Sequence, residues 1–274
     1  MAVVAGEVTT PGVYFYASAA GVLEWTGHLS LLRQTMRYPF SFAAVGAALL
    51  LFAFNTPDCI TGKGAVIKRS LPLQPVHAIT LQGSLDVQLT QGEGQSVEVE
   101  AQENLVDLVE TTVKDGHWTI RTRECYRTDK PFAVHLRVPK VDRVTVQGSG
   151  DVVGTGTFTG NSFNLDVQGS GNLKINVNGG SVKTSVQGSG AVKVSGTCDD
   201  LAATVQGSGD VKAGELKAGR ARVNVMGSGD ITVQTNGALE GDIMGSGDVE
   251  YLGSPSPLSV QVTGSGRVAP ASTK

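Results

Sequence analysis

The sequence predicts an all-β chain wound as a parallel β-helix (β-solenoid) with Gly-Ser-Gly rungs of about 19 residues. Three observations carry that expectation. Gly-Ser-Gly occurs seven times from residue 148 onward, at steps of 21, 19, 19, 20, 18 and 19 residues. Around each copy, apolar and polar residues alternate with a period of two, the mark of strands with one buried face. The composition is also unusual: of 274 residues 36 are Gly, and the last 134 residues contain three aromatics, Phe158, Phe163 and Tyr251. A narrow aliphatic tube explains that shortage, since it has little room for rings.

The chain opens with residues 1–35, which match neither a signal nor a periodic domain and read as an over-extended start. Residues 36–59 read as a signal peptide or an N-terminal membrane anchor. Met36 and Arg37 precede the uncharged run 38–54, the order of a secretory signal. That run of 17 residues lies at the lower limit for a membrane span, so a retained anchor is the alternative. Pro57 and Asp58 stand before Cys59, where a lipidated cysteine wants small residues, so lipidation is disfavoured. Cys59, Cys125 and Cys198 fit no zinc spacing. Export allows one disulfide among them, but isolated small buried residues are the preferred reading.

Residues 60–140 begin the solenoid and cap it. They alternate at Ile79-Thr80-Leu81, Val97-Glu98-Val99 and Trp118-Thr119-Ile120, and Glu103 to Val109 is either a helical turn or a bulged strand. Residues 141–274 are the repeat proper, closed by a short polar tail. Counted from the first glycine of each copy, positions −4 and −2 read Val144/Val146, Leu165/Val167 and so on to Val260/Val262. Positions +4 and +6 are equally aliphatic, as in Leu173/Ile175 and Val192/Val194. β-branched residues and two glycines per unit disfavour helical repeats. The structural turns are assigned to Gly148/Gly150, Gly169/Gly171, Gly188/Gly190, Gly207/Gly209, Gly227/Gly229, Gly245/Gly247 and Gly264/Gly266. Parity puts both glycines of a pair on the inward set. Either they supply positive-φ bends or they thin the interior for a close opposing sheet; the bend is preferred.

Several stretches together resemble the bacterial family described as the putative auto-transporter adhesin head (head GIN) domain. They are Ile79 to Val87, Glu103 to Leu105, Lys114 to Ile120, Val138-Pro139, and the Gln-Gly-Ser-Gly-Asp copies at Gln147 to Asp151 and Gln206 to Asp210. The resemblance covers roughly residues 60 to 270. It implies a right-handed parallel β-helix and an adhesive or other surface role, and brings no catalytic residues.

Stacked rungs turn sequence columns into ladders. Position −1 holds Gln82, Gln147, Gln168, Gln187 and Gln206, then Met226, Met244 and Thr263, and reads as an amide ladder that stabilises the stack. The serines of the repeats face outward without a recurring base, which argues against nucleophilic catalysis. Asp210, Asp230 and Asp248 fall on consecutive rungs near 5 Å apart. They are low-affinity Ca²⁺ candidates, against a plainer reading as turn aspartates. His28, His77, His117 and His135 show no metal-ligand spacing. No other metal, cofactor or catalytic residue is assigned.

Net charge is −3, which excludes a basic nucleic-acid binder. A glycosidase or lyase would need clustered acids with basic neighbours, a feature the acidic column lacks. The leading expectation is a non-enzymatic exported protein of the periplasm, outer envelope or cell surface, presenting a polar face to an envelope, surface or carbohydrate partner. The alternatives are a self-assembling scaffold of bactofilin type, a homo-oligomer joined through the β-helix ends, or a carbohydrate- or Ca²⁺-binding envelope module.

Overall fold

The computed structural model describes residues 58–271. The readings for residues 1–35 and for the signal or anchor over 36–57 lie outside the described residues. Between 58 and 271 the chain is β throughout, apart from one 3₁₀ turn at Val106–Leu108, the helical alternative expected near Glu103 to Val109.

The solenoid is built by parallel pairing in register. Strand Ala78–Gly83 pairs with Arg143–Gly148, which pairs with the stretch from Asn164 to Gly169 in the next rung. The same pairing continues through Gly188, Gly207 and Gly227 to strands Leu239–Gly245 and Leu258–Gly264. A second parallel stack follows the corner, from Asp86–Gln91 to Val152 and on through Val192, Val211, Ile231 and Val249 to Val268. Strands Val152–Gly169, Asn172–Gly188, Ala191–Gly207 and Asp210–Gly227 run continuously round the remaining bends of each rung.

The predicted inward positions form the core. Val144, Val146, Val167, Val186, Val205, Val223 and Val225 are buried on one stack, and Leu173, Val192, Val211, Ile231 and Val249 on the other. Their burial is the main favourable term holding one rung to the next, because a single rung has no closed core of its own. The tube is nevertheless wide enough for rings, contrary to the expectation. Phe158 and Phe163 are almost completely buried. Glycines make the space: a Cβ on Gly154 would lie 2.9 Å from the Phe158 ring, and one on Gly179 2.8 Å from the Phe163 ring.

The amino-terminal part departs from simple sequential winding. The rung formed by His117–Ile120 and Ala133–Val138 lies on the far side of the Ala78–Gly83 and Asp86–Gln91 rung, whose other side receives residues 143–155. An early rung is thus sandwiched between two later ones. Antiparallel strands then cover that end: Ser96–Gln102 pairs with Ala133–Val138 on one side and with Val66–Ser70 on the other. The entry strand Ile60–Thr61 pairs with Tyr126–Arg127 and is tied there by a disulfide between Cys59 and Cys125. This corrects the reading of those two cysteines as isolated buried residues, and it commits the sulfur that a lipid thioether at Cys59 would need. Cys198 is the buried free cysteine, its thiol pushed up to about 11 by burial and then by Asp199 and Asp200.

Candidate functional site

Each Gly-Ser-Gly corner is a hydrogen-bonded device linking neighbouring rungs. The carbonyl of a first glycine accepts two N–H groups from the rung above, those of the serine and of the second glycine. Gly148 O, for example, accepts Ser170 N and Gly171 N, both at 2.9 Å. The two glycines have different tasks. The first has positive φ, +131° at Gly148 and +122° at Gly188, and is only half-buried or exposed.

The second glycine is not a bend, which corrects half of the turn assignment. Gly150, Gly171, Gly190, Gly209, Gly229, Gly247 and Gly266 all lack positive φ. Space is what requires glycine there. A Cβ would collide with the carbonyl oxygen of the residue stacked beneath: Leu85 under Gly150, Gly190 under Gly209, Gly209 under Gly229, Gly229 under Gly247 and Gly247 under Gly266. At Gly190 the same Cβ would also lie 2.8 Å from Val167 Cγ1. These second glycines are buried, except that Gly266, on the last rung, is half-buried. Bend and thin interior therefore both occur, one on each glycine. Parity misplaces the first one because the bend turns it out of the inward set.

The aspartate column belongs to the same device. One carboxylate oxygen accepts the backbone N–H at the equivalent position of the next rung: Asp230 N to Asp210 at 3.3 Å, Asp248 N to Asp230 at 2.7 Å and Arg267 N to Asp248 at 3.1 Å. The second oxygens of Asp210 and Asp248 face Lys212 at 3.2 Å and Arg267 at 2.9 Å. Among the described residues no three His, Cys, Asp or Glu side chains are grouped to hold a metal. Asp210, Asp230 and Asp248 each spend one carboxylate oxygen on a backbone N–H of the next rung, the kind of local hydrogen bond that turn aspartates make. The amide ladder is present over its first two steps, Gln82 to Gln147 at 2.8 Å and Gln147 to Gln168 at 3.0 Å.

Sequence reasoning missed a cleft. An open cavity of about 760 Å³ lies at the head of the first stack, against its outward face. Lys114-Asp115-Gly116-His117 is a hairpin turn with φ of +50° at Asp115 and +71° at Gly116, the conformation an Asp-Gly pair favours. The Gly116 carbonyl accepts the N–H groups of His77 and Ala78 at 2.9 and 3.1 Å, which brings His77 to the cleft beside His117. His77 Nδ1 stands 3.4 Å from Asp142 Oδ2, His117 Nε2 lies 2.8 Å from Thr80 Oγ1, and Arg121 Nε donates to Glu110 at 2.9 Å. Arg143 and Lys114 add two cationic ends to the lining. The wall therefore offers donors, acceptors and both signs of charge, the equipment of a polar ligand site. Thr80 and His117 are a hydroxyl–imidazole pair, but the hydroxyl is on a residue 7% exposed and no carboxylate is seen to orient His117 among the described residues.

Below the cleft the outward face runs on along the stack through Arg143, Asp166, Gln168 and Lys183. Burial raises the Asp166 carboxyl above its ordinary value, and Arg143 and Lys183 draw it back. The signal available in the sequence was Lys114-Asp-Gly-His itself, a hairpin motif next to an alternating strand. What hid the cleft is that His77, His117 and Asp142 meet only because the rungs are out of chain order.

Among curated proteins none matches the chain. Solved structures resemble it over nearly all of the described part. A putative adhesin from Bacteroides fragilis is 23% identical, with a TM-score of 0.72 over 77% of this chain and 100% of that one. A putative lipid binding protein from Parabacteroides distasonis is 25% identical, with a TM-score of 0.66 over 78% and 100%. A putative adhesin from Parabacteroides merdae is 19% identical, with a TM-score of 0.60 over the same shares. The family model described as "putative auto-transporter adhesin, head GIN domain" matches residues 76–255, a span that includes the glycine corners from Gly148 to Gly247, the aspartates Asp210, Asp230 and Asp248 and the cleft strands, and the chain belongs to that family.

Proposed function

We propose that the protein is a non-enzymatic, exported envelope protein whose solenoid holds a polar face toward a carbohydrate-bearing surface. The observation that carries this reading is the outward face of the first stack: strands locked in register, carrying Arg143, Gln147, Gln168 and Lys183 and headed by the cleft around His77 and His117. A rigid repeated surface gives many small, equally spaced contacts, and simultaneous contacts multiply the strength of each. The family's adhesin description and the similar solved adhesins support the role. Export is supported by the Cys59–Cys125 disulfide, a bond that persists in oxidising compartments, together with the leader-like run 38–54.

The test is adhesion itself. Beads coated with the full chain should adhere to glycan-coated glass. Beads carrying Arg143→Glu, Gln168→Glu and Lys183→Glu together, all exposed on one face, should lose most of that adhesion while keeping the same circular dichroism. Equal adhesion of the two, or turnover of the glycan by the chain, would overturn the reading. Fractionation with mass spectrometry of the mature amino terminus tests the compartment independently.

A further inference from the structure

The two ends of the solenoid are finished differently. At the amino-terminal end the outermost strand, Val66–Ser70, is antiparallel to its neighbour and carries Lys68 and Arg69. Charged residues on an edge strand discourage further pairing. At the other end, Leu258–Gly264 pairs, among the described residues, on one side only, with Leu239–Gly245. Its sequence, LSVQVTG, contains no charge and no proline. Leu258 is 46% exposed and Val262 41%, whereas their register partners one rung below, Leu239 and Ile243, are 0% and 1% exposed. One more strand over this edge would cover Val262 as Leu258–Gly264 covers Ile243 one rung below.

We propose that the missing strand is the same strand of a second copy, paired antiparallel about a two-fold axis at Gln261. The segment is nearly symmetric about that residue. Antiparallel self-pairing centred there puts Val260 opposite Val262 of the other copy, and Ser259 opposite Thr263. Gln261 then meets Gln261. Residues directly opposite share a face in an antiparallel pair, so the valines close the open core and the polar residues stay outside. The Gln–Gln contact repeats the kind of amide pairing already made by Gln82, Gln147 and Gln168. The contact is isologous and closes at two copies. Head-to-tail growth is excluded because the opposite end is covered by Val66–Ser70 and Ser96–Gln102 rather than by an open parallel rung.

Directly opposed residues in an antiparallel pair have Cα atoms roughly 4.5–5.5 Å apart, within the range of roughly 4.4–6.8 Å that a disulfide spans. Gln261→Cys in the full chain, kept in mild detergent, should therefore give a disulfide-linked dimer on gentle oxidation. Ser185→Cys, at the same outward position in the middle of the stack, should not. Val262→Lys, a change at a site already exposed, should convert the sedimenting dimer to monomer and leave the circular dichroism of the fold unchanged. Equal cross-linking of the two cysteine variants would overturn the proposal, as would a wild-type chain that stays monomeric at high micromolar concentration or one that forms open-ended filaments. A dimer that persists in Val262→Lys would equally overturn it, by placing the contact elsewhere.

Discussion

Gly83 and Gly188 have nearly the same backbone conformation, φ of +119° and +122°, yet differ in what a side chain would meet. A Cβ on Gly83 finds nothing within 4 Å, because the strand beneath it ends at Ile120, while one on Gly188 lies 2.5 Å from Gly169 O. Replacing each by Ala separates conformation from crowding. Both variants bear the strain of a conformation that only Gly adopts freely, about 1–3 kcal/mol. Gly188→Ala adds the overpacking of a rigid stack, about another 1–3 kcal/mol. Denaturant midpoints should therefore fall further for Gly188→Ala than for Gly83→Ala. Thr184 is the opposite case, a residue poorly matched to its place. It occupies an inward position of the aliphatic column at 0% exposure, and its Oγ1 has no hydrogen-bond partner among the described residues. Thr184→Val removes an unsatisfied polar atom at nearly constant shape, so it should raise stability by about 1–3 kcal/mol in the same denaturant assay.

The cap depends on charge as well as on packing. Glu100, on Ser96–Gln102, accepts a hydrogen bond from His135 on the neighbouring strand Ala133–Val138 at 2.8 Å, and Lys68 on Val66–Ser70 stands 3.4 Å away. The His135 contact, the largest cause, and then Lys68 hold the Glu100 carboxyl below its ordinary 4.5. A carboxyl lowered in the folded state binds its proton more readily when unfolded. Its contribution to stability is thus present above 4.5 and is lost as the pH falls through the lowered value. Glu100→Gln should flatten the acid limb of a stability–pH curve measured by thermal melting, with little change in its slope near neutrality from this group. Element by element, the repeat was the part legible in the sequence. Period-two alternation and Gly-Ser-Gly spacing locate every strand from Arg143 to Gly264, because identical rungs leave identical local marks. The cap was not legible in the same way. Its strands Ser96–Gln102 and Val66–Ser70 alternate like any others, and alternation carries no information about which neighbour a strand chooses or in which direction it runs.

At the largest scale, the described residues form a stack with one finished end and one open end, and the candidate site lies where chain order and spatial order disagree. That disagreement is why the cleft escaped a reading of motifs: His77, His117 and Asp142 are scattered over 65 residues and meet through rung pairing alone. The glycine corners likewise hid their division of labour, since a two-residue repeat unit assigns both glycines one parity while the bend at the first breaks it. The corner carbonyls also give the molecule a direction in time. Every serine and second-glycine amide from residue 149 onward is held by the rung before it, from Gly83 up to Gly245. A newly emerging rung therefore finds its seat already built once the capped end has closed, and growth can follow the order in which synthesis or secretion delivers the chain. Loss runs the other way, starting at Leu258–Gly264 and moving toward the disulfide-tied cap, like a zipper with a single free pull.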